Sequence, residues 1–322
     1  MTRYVARRLA FALFLVIAVS SASLMLARLA PGDFVTESLG ARASRQAIEQ
    51  QRARYGLDKS IGVQYRDWLA AAARLDFGDS MQYGRPVRDL IPERAANTAI
   101  LAVTALLFAT LIGLPLGVVT GSRRGGVLPG AIRAASVVLL SMPPLLTSLF
   151  LVFVAARTGW LPISGMRSAT VPADGALMDL LRHLAVPAAA IALPLAAMLE
   201  RLQAEAMSEV IGEPFVLATL ARGVPRPRIV WRGALKAALR PVAAVYGLVI
   251  GTLLSGSFAV EVITAWPGLG SLMLQALRTR DVYLVAGCAG AGAMFLACGT
   301  LVSDLALAAV DPRASETRAE GA

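Results

Sequence analysis

Long apolar runs alternate with polar segments along the chain. Six runs contain no Asp, Glu, Lys, Arg or His. Each is near the length of about 20 residues that an α-helix needs to cross a bilayer. The shortest is the fourth, which also carries Pro187 and Pro194. The pattern predicts an all-α membrane protein with six transmembrane helices, at Leu9–Ala27, Ala95–Ser122, Ala134–Ala156, Leu184–Leu199, Pro241–Val260 and Val282–Ser303.

Composition agrees with this pattern. Of the 322 residues, 57% are hydrophobic and 16% are charged, whereas an average soluble domain is about 25% charged. The net charge of +10 does not indicate nucleic acid binding, because the basic residues lie between apolar runs and no soluble basic domain remains.

The first run is predicted to be a retained helix. Arginines precede it, as in a cleavable signal, but it is longer than a typical signal core and further spans follow. Lys and Arg in short loops set orientation, and both termini are predicted to be cytoplasmic. The residues that carry this prediction are Arg3, Arg7 and Arg8; Arg123, Arg124 and Arg133; and Arg201, Arg222, Arg226, Arg228, Arg232, Lys236 and Arg240.

The predicted organisation has four parts. Residues 1–29 form the N-terminus and first helix, and 30–94 form a long extracytoplasmic loop. Residues 95–310 form a core with helices two to six and a cytoplasmic loop at 200–240, and 311–322 form a cytoplasmic tail. Helix-like pieces at Ser44–Tyr55 and Val63–Leu75 suggest that the long loop is an ordered cap that meets an external partner or substrate.

Several predicted spans carry glycines at helical spacing, such as Gly113, Gly117 and Gly121 in the second and Gly247 and Gly251 in the fifth. Small residues let helices approach closely within a membrane. Two interpretations stay open: packing within this chain, or contact with a second, similar subunit.

The loop between the fourth and fifth runs contains residues that are typical of helix starts and helix ends. Pro214 suits the first turn of a helix, and Gly223 is placed to end it in a left-handed conformation. Pro225 and Pro227 predict a break. A second helix would then present a basic stripe that could lie against anionic lipid. Its members are Arg228, Arg232, Lys236 and Arg240.

The sequence contains no catalytic, cofactor or metal motif. Neither lysine, Lys59 or Lys236, ends a phosphate-binding loop. Cys288 and Cys298 lie ten residues apart on one predicted helix. The helix turns through about 280° between them, so they point in different directions and are predicted to be unpaired core residues. His183, the single histidine, is predicted to be interfacial.

The six apolar runs contain no carboxylates, and Asp304, which directly follows the sixth run, is the best candidate for one inside the membrane. An ion-coupled secondary carrier or channel tends to need such groups, so this function is only weakly supported. An intramembrane enzyme or scaffold is also weakly supported. Transport by this chain would draw its energy from elsewhere.

The chain resembles the inner-membrane permease subunits of ABC importers of the dipeptide, oligopeptide and nickel type, in particular the subunit with the long outer loop. The resemblance runs nearly end to end, and its specificity comes from the order of many short motifs. They include LARLAPGD (Leu26–Asp33), DFGDS (Asp76–Ser80), GRPVRDLIPERAANT (Gly84–Thr98), SMPP (Ser141–Pro144), GSFAVEVITAWPGLG (Gly256–Gly270) and VDPR (Val310–Arg313).

The resemblance implies a type I importer permease fold in the bacterial inner membrane. It also implies that the loop between helices four and five docks on the ATPase. The residues implied for this coupling are Glu213, Phe215, Ala218, Ala221, Arg222 and Gly223, followed by Leu235, Leu239 and Pro241. The chain departs from the family pattern within Ala218–Gly223, and it has Gly233 and Ala237 where His and Asn are common.

The resemblance implies protein partners and no cofactor. They are a second homologous permease subunit, two ABC ATPase subunits or domains, and an extracytoplasmic substrate-binding protein. ATP hydrolysis would take place in the partners, so the chain itself is not expected to be an enzyme. The cargo would be peptides or similar small solutes.

Overall fold

The structure is a computed structural model that describes residues 2–39, 44–123, 125–168, 172 and 175–310. The predicted tail, 311–322, lies outside the described residues. The chain divides into two compact units. One comprises Thr2–Ala99 and Pro267–Ala297, and the other the described parts of Ile100–Trp266 and Cys298–Ala322.

The described helices are α1 (Thr2–Leu29), α2 (Phe34–Leu39), α3 (Arg45–Arg54), α4 (Ile61–Ala72), α5 (Val87–Ser122), α6 (Val127–Leu140), α7 (Pro144–Thr158), α8 (Ala176–Ile211), α9 (Pro214–Ala221), α10 (Arg226–Arg228), α11 (Leu235–Ile263), α12 (Leu269–Arg278) and α13 (Val282–Val310). A π-helical segment, Ile229–Ala234, joins α10 to α11. Two short antiparallel strands, β1 (Asp79–Ser80) and β2 (Arg85–Pro86), pair Asp79 with Pro86.

The number of spans agrees with the prediction of an all-α membrane protein. Among the described residues, four helices are long and apolar enough to cross a membrane, namely α1, α5, α8 and α13. Two bent pairs of helices pass the same criterion together. Counting each pair as one span gives the six that the sequence predicts.

The third span is sharply broken. Helices α6 and α7 meet at 106°, and the break falls on Ser141–Pro143. Pro143 has an extended backbone (φ −59°, ψ 149°), and Pro144 begins α7, where its missing N–H needs no partner. The sequence predicted a weakened backbone here, but one span rather than two helices.

The fourth span, which the sequence predicted as the shortest, is a helix of 36 residues. Helix α8 continues through Pro187 and Pro194, and it packs against α6, α7 and α11. Burial is the physical reason for this difference. Surrounding helices protect the backbone that the prolines leave unpaired, and 61% of its most apolar window is buried.

Glycines of α5 lie directly against α8. A Cβ atom at Gly113 would come within 2.5 Å of the carbonyl oxygen of Ala196, and one at Gly117 within 2.5 Å of that of Glu200. Gly121 faces Ala204 in the same way. The interpretation that these glycines pack within the chain is confirmed.

The other unit is built around α1 and α4. Trp68 of α4 is buried with Leu24 of α1 and Ala286 of α13, and the hydroxyl of Tyr65 donates to Ser21 Oγ at 3.1 Å. The two helix-like pieces predicted in the long loop correspond to α3 and α4. Ser44 caps the N-terminus of α3, and its Oγ accepts a hydrogen bond from the N–H of Ala47.

A buried carboxylate fixes the strand hairpin. Asp281, which is 0% exposed, accepts hydrogen bonds from Ser80 Oγ at 2.6 Å and from the Gln82 N–H at 3.1 Å. Its other oxygen accepts from the N–H of Leu284 at the start of α13. One carboxylate therefore serves both as a helix cap and as the anchor of the hairpin.

Two predictions about single residues need comment. Both cysteines are free, as predicted, but Cys298 is exposed and only Cys288 is buried, so the prediction that both are core residues is wrong. The two side chains leave α13 in different directions, which is the reason. His183 is buried, with Nδ1 2.9 Å from the carbonyl oxygen of Asp179; its depth in the membrane stays a prediction.

Candidate functional site

Helix α9 is a short helix with little of its apolar surface buried. Among its side chains, only Val216 is buried, at 2% exposure. Phe215, Leu217 and Leu220 are 48%, 54% and 38% exposed. An eight-residue helix is not stable alone. Leu217 and Leu220, three residues apart, lie on one side of α9, whereas Phe215 lies on another side. Exposed apolar side chains of this size are typical of surfaces that contact another molecule.

Both ends of α9 lie where Pro214 and Gly223 predict them. Pro214 occupies the first turn after an extended Glu213. Gly223 has a left-handed backbone (φ 77°), and its N–H donates to the carbonyl of Leu220 at 2.9 Å. Arg222 donates from Nη2 to Thr219 Oγ1 at 3.1 Å. The prediction that Gly223 ends this helix in a left-handed conformation is confirmed.

The six residues that the resemblance implied for coupling come together on α9 and its two ends, and all of them are exposed: Glu213, Phe215, Ala218, Ala221, Arg222 and Gly223. Their role in coupling stays a prediction, because the structure contains no partner chain.

Contacts with neighbouring helices fix the position of α9. Val216 belongs to the same buried apolar cluster as Met207, Ile229 and Val230. After the turn that follows α9, Arg226 Nη2 donates to the carbonyl of Ser122, at the end of α5, at 3.0 Å. The position of α9 is thus tied to both α5 and α8.

The second helix of this loop differs from the prediction. It begins at Arg226 and continues through the π-helical segment into α11, so that Pro241 lies inside a helix rather than at the start of a span. The predicted basic residues are all exposed: Arg228, Arg232, Lys236 and Arg240. The π-helical segment, a feature often found at functional sites, had no signal in the sequence.

Sequence reasoning also missed a buried polar cluster between α5 and α8. Glu200 is 2% exposed, and Thr120 Oγ1 donates to its carboxylate at 2.5 Å. Arg133 donates to the carbonyl of Thr120 at 2.7 Å. A cavity of about 400 Å³ beside this cluster is lined by Arg133, Glu200, Arg201 and Glu205. Glu200 ends the fourth apolar run, so the span seemed to stop before it.

No group of three or more His, Cys, Asp or Glu side chains is placed to hold a metal ion within the part of the chain that the structure describes. The exposed side chains of α9 itself include Phe215, Leu217 and Leu220, and the charged side chains of Glu213 and Arg222 flank it.

Comparisons with known proteins agree with the geometry. The family described as "Binding-protein-dependent transport system inner membrane component" matches residues 113–316, and its N-terminal companion, "Binding-prot-dependent transport system membrane comp, N-term", matches residues 1–102.

Relatives match over nearly the whole chain. The chain is 30% identical to the oligopeptide transport system permease protein AppB of Bacillus subtilis, over 97% of this chain and 99% of the relative. It is 30% identical to the dipeptide transport system permease protein DppB of Escherichia coli K12, over 97% and 98%. It is 32% identical to the di/tripeptide transport system permease protein DppB of Pseudomonas aeruginosa, over 88% and 90%.

Two family matches, near full-length relatives and up to six spans leave one assignment: the chain belongs to the binding-protein-dependent transport system inner membrane components, the multi-pass permease subunits of ABC importers.

Proposed function

We propose that this permease subunit imports peptides or similar small solutes, and that α9 docks on a partner ATPase in the cytoplasm. The observation that carries the docking proposal is the exposed apolar surface of α9, held from beneath by Val216 and ended by Gly223. A groove in the partner that covered Phe215, Leu217 and Leu220 would stabilise the complex through burial of their apolar area.

The energy source in this proposal is the partner. Neither lysine of the chain ends a phosphate-binding loop, so ATP would bind elsewhere. The proposed assembly contains a second homologous permease subunit, two ATPase subunits or domains and an extracytoplasmic substrate-binding protein. Both termini and α9 are proposed to face the cytoplasm. The reason is that short loops rich in Lys and Arg remain on the cytoplasmic side of a membrane, and the N-terminus and the loop of α9 are rich in these residues.

The proposal that peptides are the cargo rests on the relatives, which are named for oligopeptide, dipeptide and di/tripeptide transport. The test is uptake of radiolabelled di-, tri- and pentapeptides by cells that carry the whole system, with and without this chain. Uptake of none of these peptides, alongside ATPase docking, would separate a wrong cargo from a wrong mechanism.

The docking proposal is tested by co-purification of the ATPase with the double variant Phe215→Ala/Leu217→Ala. Full burial of a Leu or Phe side chain stabilises a complex by about 1.5–3 kcal/mol. Because about half of each side chain is already buried, we expect a loss of about 2 kcal/mol for the pair, or about thirtyfold in affinity.

The matched control is Ile61→Ala. Ile61 is 40% exposed but lies on α4, in the long loop. This variant should retain the ATPase at the wild-type level. Equal recovery of the ATPase with the α9 double variant, at equal membrane abundance, would remove α9 as the docking helix.

A further inference from the structure

A polar cavity lies where α1 ends. Its volume is about 180 Å³, many times the ~10–15 Å³ that a single water needs. Arg28, Lys59 and Arg280 line it together with one carboxylate, Asp33. That carboxylate accepts from Arg52 Nε at 2.6 Å, and Lys59 Nζ lies 3.5 Å from Asp67 Oδ2. Arg28 and Arg280 therefore supply the excess of positive charge in the cavity.

Polar atoms around this cavity have unused hydrogen-bonding capacity. Nε and Nη2 of Arg28 are buried and have no hydrogen-bond partner among the residues that the structure describes. Gln64 is 6% exposed; its Nε2 donates to the carbonyl of Lys59 at 2.6 Å, and its Oε1 has no partner among the described residues. Leaving buried donors of a charged group unpaired is costly, and an anion with several acceptor oxygens would pair the guanidinium.

An apolar groove adjoins the polar cavity. Its volume is about 260 Å³, and it shares Ala27 and Arg280 with the cavity. Leu26 of α1, together with Met273 and Leu277 of α12, supplies much of its wall. The combined site is therefore cationic at one end and apolar at the other.

The depth of the site follows from the helices that form it. Helix α1 ends at Leu29 and α13 begins at Val282, and both are candidate spans. The charged cavity therefore lies at the ends of two candidate spans. The groove follows the last two turns of α1, within its candidate span.

We propose that this site binds an anionic phospholipid, with the phosphate group at Arg28, Lys59 and Arg280 and one acyl chain in the groove. A free anion would use only the cavity, and a neutral apolar molecule would use only the groove. A phospholipid uses both, at the depth where its phosphate and acyl chain meet. The excess of positive charge favours an anionic over a zwitterionic headgroup.

The test uses the purified full-length chain in detergent. Dioleoylphosphatidylglycerol is titrated in, and the first bound lipid is followed by native mass spectrometry, with dioleoylphosphatidylcholine and inorganic phosphate as separate arms. Each basic residue near a membrane surface contributes about 1 kcal/mol toward an anionic lipid. We therefore expect about fivefold weaker binding for Lys59→Gln and about thirtyfold for Lys59→Gln/Arg280→Gln.

Arg278→Gln is the matched control. Arg278 is exposed, lies two residues from Arg280 and lines neither the cavity nor the groove, so this variant should bind as the wild type does. Met273→Trp fills the groove and should weaken lipid binding without affecting phosphate. Lys59 is a conservative choice, because its side chain is 56% exposed and its replacement leaves the core intact.

Three outcomes would overturn the proposal: wild-type affinity in the double variant, equal affinity for the two lipids, or complete displacement of the lipid by millimolar phosphate. The last would assign the cavity to a free anion. The assay involves neither the ATPase nor the cargo, so a failure of either proposal about them leaves this test unaffected.

Discussion

Replacing Gly223 with valine isolates the role of the helix end from that of the helix surface. Gly223 has φ 77°, and a Cβ atom there would meet no other heavy atom within 4 Å. The added Cβ atom therefore meets no steric overlap with the described residues. The expected effect comes from the left-handed backbone, which a β-branched residue strongly disfavours.

The size of the effect follows from that conformation. A left-handed backbone costs an L-residue about 1–2 kcal/mol relative to the right-handed one. The ratio of molecules in which α9 ends as observed to molecules with another ending should therefore fall by about five- to thirtyfold. Because the chain after Gly223 leads to α10, an altered ending would redirect α9 relative to the bundle.

The assay is uptake of a labelled peptide at equal membrane abundance, together with co-purification of the ATPase. We expect Gly223→Val to insert normally and to lose most uptake. Gly223→Asn should retain most of it, because asparagine tolerates this conformation better than other residues do. Gly212→Ala is the matched control, since Gly212 lies at the other end of α9 with a right-handed backbone (φ −78°, ψ −11°).

Wild-type uptake by Gly223→Val would refute the reasoning, because it would mean that the orientation of α9 does not limit transport. Equal loss of uptake in Gly212→Ala would also contradict it. In that case any change near α9 would be harmful, and the left-handed ending would have no special role.

Three further predictions concern packing, burial and pH. Gly117→Ala should destabilise the chain by about 1–3 kcal/mol through overpacking against α8, whereas Gly130→Ala, with nothing within 4 Å, should not; thermal unfolding in detergent compares them. Asp281→Ala leaves three donors unpaired and should make the hairpin of β1 and β2 sensitive to protease, with a loss of at least about 2 kcal/mol; unchanged cleavage would argue against this anchor. Burial raises the pKa of Asp33, but hydrogen bonds from Thr36 and Arg52 outweigh it and hold the pKa below its ordinary value. The carboxylate therefore stabilises the long loop above the unfolded pKa of about 3.9, and this contribution is lost as pH falls through the lower folded pKa; limited proteolysis should accelerate in that range for the wild type but not for Asp33→Asn.

Local features of the fold were predictable from the sequence. Apolar runs predict spans because the bilayer sets their length. Helix α9 was predictable because Pro214 and Gly223 act through the backbone at their own positions. The break between α6 and α7 was visible as a pair of prolines, but its angle of 106° depends on the packing of both helices and could not be predicted.

Features that depend on distant contacts could not be predicted. Glu200 directly follows the fourth apolar run, so the sequence predicted that the span ends before it. In the structure its carboxylate is buried and accepts a hydrogen bond from Thr120 of α5, and a buried carboxylate needs such a partner. The cavity beside Arg28 needs Arg280, and no pattern in the sequence brings those two residues together. The exposure of Phe215 and Leu217 could not be predicted either, because it depends on which side of α9 packs against the core, and that is the side of Val216.

The contacts beneath α9 bear on how a partner's motion would reach the membrane. Val216 packs in the core cluster that includes residues of α8, and Arg226 is hydrogen-bonded to the end of α5. Helices α5 and α8 in turn pack closely at Gly113, Gly117 and Gly121, where no side chain separates the two backbones. Closely packed interiors move as bodies rather than deforming continuously. A pull on α9 would therefore displace α5 and α8 together, and the flexibility needed for such a movement would lie at the break between α6 and α7 and in the π-helical segment that leads into α11.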